Sequence, residues 1–103
     1  MKVAVIGIGS NSVRMLLSDI QGNTAVRLRR EREGTRLFAG LDEQRNLDPQ
    51  AMQKTVSAVA AMAASARRDG AEKLHLFATS ATRDAANSDV LRQHLLEQAG
   101  IEL

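Results

Sequence analysis

Val3-Ala4-Val5-Ile6-Gly7-Ile8-Gly9-Ser10-Asn11-Ser12 decides how this chain begins to fold. Val3 to Ile8 is a nearly continuous apolar run rich in β-branched residues, which predicts a strand buried on both faces. Gly9-Ser10-Asn11-Ser12 breaks it with four turn-prone residues. Val13 to Ile20 is apolar again, and Gln21-Gly22-Asn23 signals a second turn. Ala25 to Arg32 alternates, with Val26 and Leu28 on one side and Arg27 and Arg29 on the other, the pattern of a half-exposed strand. Three strands joined by short turns make an antiparallel meander.

Downstream the period changes from two to between three and four. Glu33 to Asn46 is mixed in polarity, contains Gly34 and Gly40, and reads mostly as loop. Asp48 is a good N-cap and Pro49 suits the first helical position. Met52, Val56, Val59, Ala63 and Ala66 then recur on one helical face, with Gly70 as the stop. Leu74 to Ala78 predicts a further short strand that runs into a polar turn at Thr79-Ser80. Ser88 is the expected cap of a last helix, with Leu91, Leu95 and Ala99 inward and Gly100 at its end. Ile101-Glu102-Leu103 reads as the start of another strand. The order is β-β-β-α-β-α, and residues 1–103 read as the N-terminal portion of a larger, truncated domain.

Composition excludes several kinds of chemistry. The 103 residues are 44% hydrophobic and 25% charged, as in ordinary globular domains. There is no cysteine, which removes disulfides, thiolate catalysis and cysteine metal sites. A net charge of +2 gives no reason to expect nucleic acid, and Phe38 and Phe77 are too few rings for a stacking platform. The start lacks the apolar stretch and cleavage site of a signal peptide, and no segment approaches membrane-spanning length. The expected location is cytoplasmic.

Two constellations carry chemistry. The Gly9–Ser12 turn after a buried strand can aim backbone N–H groups, two hydroxyls and an amide at an oxyanion. It can equally be a tight turn with no ligand. Gly7-x-Gly9-x-x-Ser12 also partly matches a dinucleotide fingerprint, although Ser12 replaces the third glycine and Val13–Ile20 does not read as a helix. The second constellation is Ala78-Thr79-Ser80-Ala81-Thr82-Arg83-Asp84-Ala85-Ala86-Asn87, just past a candidate strand end. Arg83 could clamp a phosphoryl oxygen there, or simply pair with Asp84 on the surface.

Val3 to Leu16 resembles the first phosphate loop of the exopolyphosphatase/guanosine pentaphosphate phosphohydrolase (Ppx/GppA) family. Phe77 to Asn87 resembles that family's second N-terminal signature. Thr35-Arg36-Leu37, Gly40-Leu41 and Leu47-Asp48-Pro49 fall where the family has its linking segment. The similarity spans essentially the whole chain. It implies part of a ribonuclease H-like α/β domain of the actin/sugar-kinase/Hsp70 superfamily. It further implies a hydrolase that uses a divalent cation such as Mg²⁺. The implied substrates are the terminal phosphoanhydrides of polyphosphate and the 5′-phosphate of guanosine pentaphosphate (pppGpp). By the same resemblance, Gly9, Ser10, Asn11 and Ser12 contact phosphate, Arg83 lies toward the substrate, and Thr79 and Ser80 shape the cleft.

The chain departs from the family pattern at one decisive position. Gly7 stands where the family usually has an aspartate, and glycine cannot hold a metal or act as a base. The family's general-base glutamate lies beyond the matched segment, and Glu97 and Glu102 do not replace it. No catalytic residue and no metal ligand is therefore expected in this chain, and the fragment alone is expected to be inactive. A non-catalytic phosphate- or nucleotide-binding relative and a dinucleotide-binding domain are the alternatives. Strand direction after Ser12 discriminates, since an antiparallel hairpin favours the phosphohydrolase and its non-catalytic relative and a strand-to-helix turn favours the dinucleotide-binding domain.

The remaining features have plain readings. Arg27, Arg29, Arg30, Arg32 and Arg36 form a basic run that is either a solvated strand face or a rim attracting a polyanion. His75 and His94 lack partners at metal-site spacing. An open sheet edge at Leu74–Ala78 would invite a homodimer or strand exchange.

Overall fold

The computed structural model describes all 103 residues. β1 (Lys2–Ile8), β2 (Ser12–Gln21) and β3 (Thr24–Gly34) form the expected antiparallel meander. Helix α1 (Pro49–Arg68) then crosses over to β4 (Lys73–Ala78), which pairs parallel to β1 and completes a sheet ordered β3-β2-β1-β4. A four-residue helix α2 (Ser80–Arg83) follows, and α3 (Ser88–Ala99) ends the regular structure.

The hairpin after Ser12 is antiparallel in register from Ile8↔Val13 to Lys2↔Asp19. A dinucleotide fingerprint needs a helix at that point, so the dinucleotide reading is excluded. The reason is visible in the side chains. Val13, Met15 and Leu17 alternate into the core at 0–2% exposure, a period of two that no helix could satisfy.

The α1 face forms as read. Asp48 accepts a hydrogen bond from the Ala51 N–H at 3.0 Å, and Pro49 opens the helix. Met52, Val56, Val59, Ala63 and Ala66 are all buried. Leu91, Leu95 and Ala99 of α3 are buried beside them, and Gly100 closes α3 in the left-handed conformation at φ 68°. Both helices lie on one face of the sheet, packed over Ala4, Ile6, Ile8, Val13, Met15 and Leu17.

Five sequence expectations are corrected. First, β1 is fully covered on one face only: Ala4, Ile6 and Ile8 are at 0–1% exposure, whereas on the second face Val3 is buried but Val5 is 36% exposed. Second, β3 does not alternate cleanly. A bulge between Leu17 and Ser18 skips Leu28 in the pairing, and Val26 and Leu28 are both exposed. Third, Thr79 caps a short helix that the sequence reading left as a turn. Fourth, Ser88 is not a cap but the first residue of α3, with Asn87 in the capping position and making no capping bond. Fifth, Ile101-Glu102-Leu103 forms no strand; Ile101 instead packs into the core.

The reason Asn87 does not cap is that its amide is occupied elsewhere. Its Oδ1 accepts from the Leu47 N–H at 2.7 Å and its Nδ2 donates to the Leu47 carbonyl at 3.1 Å. One side chain therefore completes the backbone of a residue 40 positions away, and the Ala86 N–H reinforces it by donating to the Arg45 carbonyl. This ties the Asp42–Asp48 loop, which enters α1, to the segment that enters α3.

Candidate functional site

The two constellations meet at the carboxyl ends of the parallel pair β1 and β4. In open α/β sheets ligands gather at such strand ends. The Thr79 N–H donates to the Ile8 carbonyl at 3.1 Å, so the second signature begins where the glycine-rich turn begins.

The turn itself is closed by the Gly9 N–H donating to the Ser12 carbonyl at 2.9 Å. Its carbonyls are held from behind. The Thr35 and Arg36 N–H groups both donate to the Asn11 carbonyl at 3.0 Å, and the Phe38 N–H donates to the Ser10 carbonyl at 3.1 Å. Immediately after this pair of bonds Arg36 adopts a positive φ of 49°, uncommon for a residue with a side chain, and the chain turns back to bring the Phe38 N–H to Ser10. In a trans peptide the N–H points opposite the C=O. Pinning the Ser10 and Asn11 carbonyls to residues 35–38 therefore turns the Asn11 and Ser12 N–H groups the other way. The Ser10 and Asn11 N–H groups have no backbone acceptor in the chain. The Asn11 N–H is thus both turned away from residues 35–38 and without a backbone acceptor, a starting point for a candidate anion site.

The turn forms one end of a groove of about 1070 Å³ on the uncovered face of the sheet. Gly9, Ser10, Asn11, Ser12 and Thr79 line it together with Gly7, Arg14, Arg30, Arg32 and Phe77. Of the residues expected from sequence, Ser80 and Arg83 are not among its lining. The Arg83 guanidinium turns onto the Ser80 hydroxyl at 3.2 Å, rather than onto Asp84 or the turn. Thr79 serves both elements, because its hydroxyl also accepts from the Thr82 N–H at 3.3 Å and so caps α2.

Position 7 is the most informative. Gly7 pairs with Arg14 on one side and Phe77 on the other. The Phe77 ring lies across the glycine, so that a Cβ at position 7 would stand 2.6 Å from Cζ of the ring. The space that a side chain would fill at Gly7 is thus held by an aromatic that is itself 57% exposed.

Sequence reading missed Arg14, Arg30, Arg32 and Phe77 as groove residues. Arg30 and Arg32 share parity along β3, a signal visible in the sequence. Their position opposite Leu16 and Arg14 depends on the register that the bulge sets. The same bulge divides the basic run. Arg29 faces the helical layer, where it pairs with Asp69 and donates to the Ser65 hydroxyl at 2.7 Å, while Arg30 and Arg32 face the groove.

A magnesium ion, implied by the family resemblance, finds no ligand set here. Glu31 is the one acidic residue along the groove, and its carboxylate lies 3.6 Å from the Arg29 guanidinium, on the helical side of the sheet. No three His, Asp or Glu side chains gather anywhere to hold a metal. These residues do not fit the ion, and no chemical step is routed through it.

A meander, a crossover helix and a parallel fourth strand define the opening part of an actin-like, ribonuclease H-type α/β domain. Comparison with known proteins agrees with this fold. Residues 16–103 match the Ppx/GppA phosphatase family, and the chain belongs to that family. It is 30% identical to exopolyphosphatase 1 of Mycobacterium leprae, a match covering 100% of this chain and 31% of the relative. It is 32% identical to the guanosine-5′-triphosphate,3′-diphosphate pyrophosphatase of Photobacterium profundum, covering 84% of this chain and 18% of that one. The fold superposes on the Aquifex aeolicus Ppx/GppA protein with a TM-score of 0.93 at 24% identity, over 99% of this chain and 33% of the other. The chain therefore spans about a third or less of the length of these relatives. No helix is long and apolar enough to cross a membrane.

Proposed function

We propose that this chain supplies the phosphate-gripping third of a phosphohydrolase acting on polyphosphate or on the 5′-phosphate of pppGpp. The observation that carries the reading is the Gly9–Ser12 turn, with its carbonyls pinned to residues 35–38 and its Ser10 and Asn11 N–H groups left free. A terminal phosphoryl group seated there would accept from those N–H groups and from the Ser10 and Ser12 hydroxyls. Asn11 and Thr79 would add donors at the rim. The backbone cradle is preorganised, so it stabilises negative charge without reorganising when charge develops in a transition state. Holding the phosphate is this chain's part of the reaction. By the family resemblance, the water-activating glutamate falls to parts of the longer relatives that the chain does not span, and Gly7 removes the aspartate that would help hold Mg²⁺ here.

The reading predicts binding without turnover. Tripolyphosphate titrated into the ¹⁵N-labelled chain should shift the Ser10, Asn11 and Ser12 amides first. Phosphate release from polyphosphate or pppGpp with Mg²⁺ should remain at the buffer rate. Unmoved loop amides at millimolar tripolyphosphate would sink the proposal, and turnover comparable to a full-length relative would overturn the division of labour.

A further inference from the structure

Every residue but two with a positive φ in this chain is a glycine. The two are Arg36 at 49° and Arg45 at 64°, and they stand near opposite ends of the segment 35–47. Side chains resist this conformation, so it persists only where surrounding contacts impose it, and such residues gather at ligand sites. Here each marks an anchorage. At one end the Thr35 and Arg36 N–H groups hold the Asn11 carbonyl of the glycine-rich turn. At the other the Arg45 carbonyl accepts from the Ala86 N–H at 2.9 Å, and the Asn87 amide takes both backbone groups of Leu47. Between them the segment is stiffened turn by turn. The Ala39 N–H donates to the Arg36 carbonyl, the Leu41 N–H to the Phe38 carbonyl, and the Asp42 N–H to the Asn46 carbonyl.

The path also closes on its other side. From Asn87 the chain runs back through α2 to Thr79, whose N–H donates to the Ile8 carbonyl at the base of the turn. A ring of hydrogen bonds therefore joins the turn, the segment 35–47 and the second signature, and the Asn87 side chain closes it. Leu37 and Leu47 bury the segment at 0–1% exposure. Apolar burial is non-directional, so it holds the segment down without orienting its peptide planes. The Asn87 amide, bonded to the N–H and the carbonyl of Leu47, fixes the two planes that flank that residue.

We infer that Asn87 and Arg36 are positioning residues for the phosphate turn. Asn87 sets the segment 35–47. The left-handed Arg36 then brings the Phe38 N–H to the Ser10 carbonyl, which turns the Asn11 N–H toward the ligand side. The inference rests on the phosphate reading of that turn. Neither residue lines the groove, so both act through the direction of the Asn11 N–H rather than by touching phosphate.

The test combines ¹⁵N spectra with tripolyphosphate titration of the 103-residue chain. R36V and R36G remove the same charge, yet valine resists a positive φ and glycine adopts it freely. R36V should bind about five- to tenfold more weakly than R36G, and N87A should bind about five- to tenfold more weakly than the parent. In ligand-free spectra R36V should move the Asn11 amide resonance further than R36G does, and N87A should move it from its remote position. M62A opens a cavity at a residue 5% exposed in the helical layer, and it should leave both readouts at the parent's values. The double variant R36V/N87A should bind about as weakly as the weaker single, because both changes act through one segment.

R36V equal to R36G in both readouts would overturn the inference, and that comparison stands whether or not N87A folds. Loss of binding in M62A equal to that in N87A would do the same, since it would assign the effect to stability alone. So would losses that multiply in the double variant. The two proposals fail separately. If tripolyphosphate leaves the parent's Ser10 and Asn11 amides unmoved, the phosphate reading is lost, while the ligand-free Asn11 resonance still decides whether Asn87 and Arg36 set the turn.

Discussion

Placing an aspartate at position 7, by Gly7→Asp, tests how firmly Phe77 holds its place over the backbone. The new Cβ would start 2.6 Å from Phe77 Cζ and 3.0 Å from Cε2. Carbon atoms settle at about 3.5–4.0 Å, so the ring tip must retreat by roughly 1 Å. That retreat needs only a modest turn of the ring about its side-chain bonds, and even a ~30° departure from a rotamer costs about 0.5–1.5 kcal/mol. The ring is 57% exposed and nothing is packed behind it to resist. Against this cost stand two gains. Replacing a strand glycine stabilises by about 0.5–1 kcal/mol through the unfolded chain. A carboxylate opposite Arg14 adds about 0.2–1 kcal/mol as a cross-strand pair.

The expected outcome is a folded variant whose stability lies within about 1 kcal/mol of the parent, a melting shift within about 8 °C for a domain of this size. The assay is urea and thermal denaturation of Gly7→Asp, Phe77→Ala and the double variant. If the ring yields freely, the coupling energy between the two positions should fall below about 0.5 kcal/mol. A loss above about 2 kcal/mol in Gly7→Asp that Phe77→Ala relieves would mean the ring is rigidly seated, refuting the reasoning. Binding should also change in a definite direction. A carboxylate beside the turn repels phosphate, so tripolyphosphate affinity should drop without Mg²⁺ and recover with it.

Three more outcomes follow from the structure. Asn87→Ala should cost about 2–3 kcal/mol in urea denaturation, because it strands both backbone groups of Leu47, a residue 1% exposed; a loss below about 0.5 kcal/mol would show the pairing to be dispensable. The Asp42 carboxyl should titrate below its ordinary value of 3.8, chiefly because it accepts the Asn46 backbone N–H, with Asn46's side chain and the Gln44 N–H contributing further. With the folded pKa depressed, its stabilisation is fully present above the unfolded value and is lost as pH falls through the folded one, so the Gln44 and Asn46 amides should keep their protection at pH 4.5 and lose it in acid; a carboxyl midpoint at or above 3.8 by ¹³C NMR would contradict this. β4 forms an edge of the sheet, so the chain should self-associate at high concentration, and a strictly monomeric sedimentation profile would refute that expectation.

Much of the candidate site was legible because the chemistry is local. The Gly9–Ser12 turn is bracketed by two apolar runs of strand length, and Thr79 follows a third. The side-chain placement of Arg83 was not legible in the same way. Its neighbours in sequence allow either a clamp or a surface pair with Asp84, and the structure turns its guanidinium onto Ser80 instead. The Arg36 backbone that anchors the turn was not legible either, since a positive φ at arginine leaves no compositional trace.

Apart from the four-residue α2, the element order, the inward faces of α1 and α3, and the antiparallel start follow from the sequence alone, because side-chain periodicity records which face a helix must bury. Which arginines share a groove with the turn, why Asn87 leaves its cap, and what fills the space over Gly7 were decided only by tertiary structure. Each depends on strand register or on a partner distant along the chain. A bulge at Leu28 moves one arginine to the helices and leaves its neighbours on the open face, and no local pattern encodes that choice.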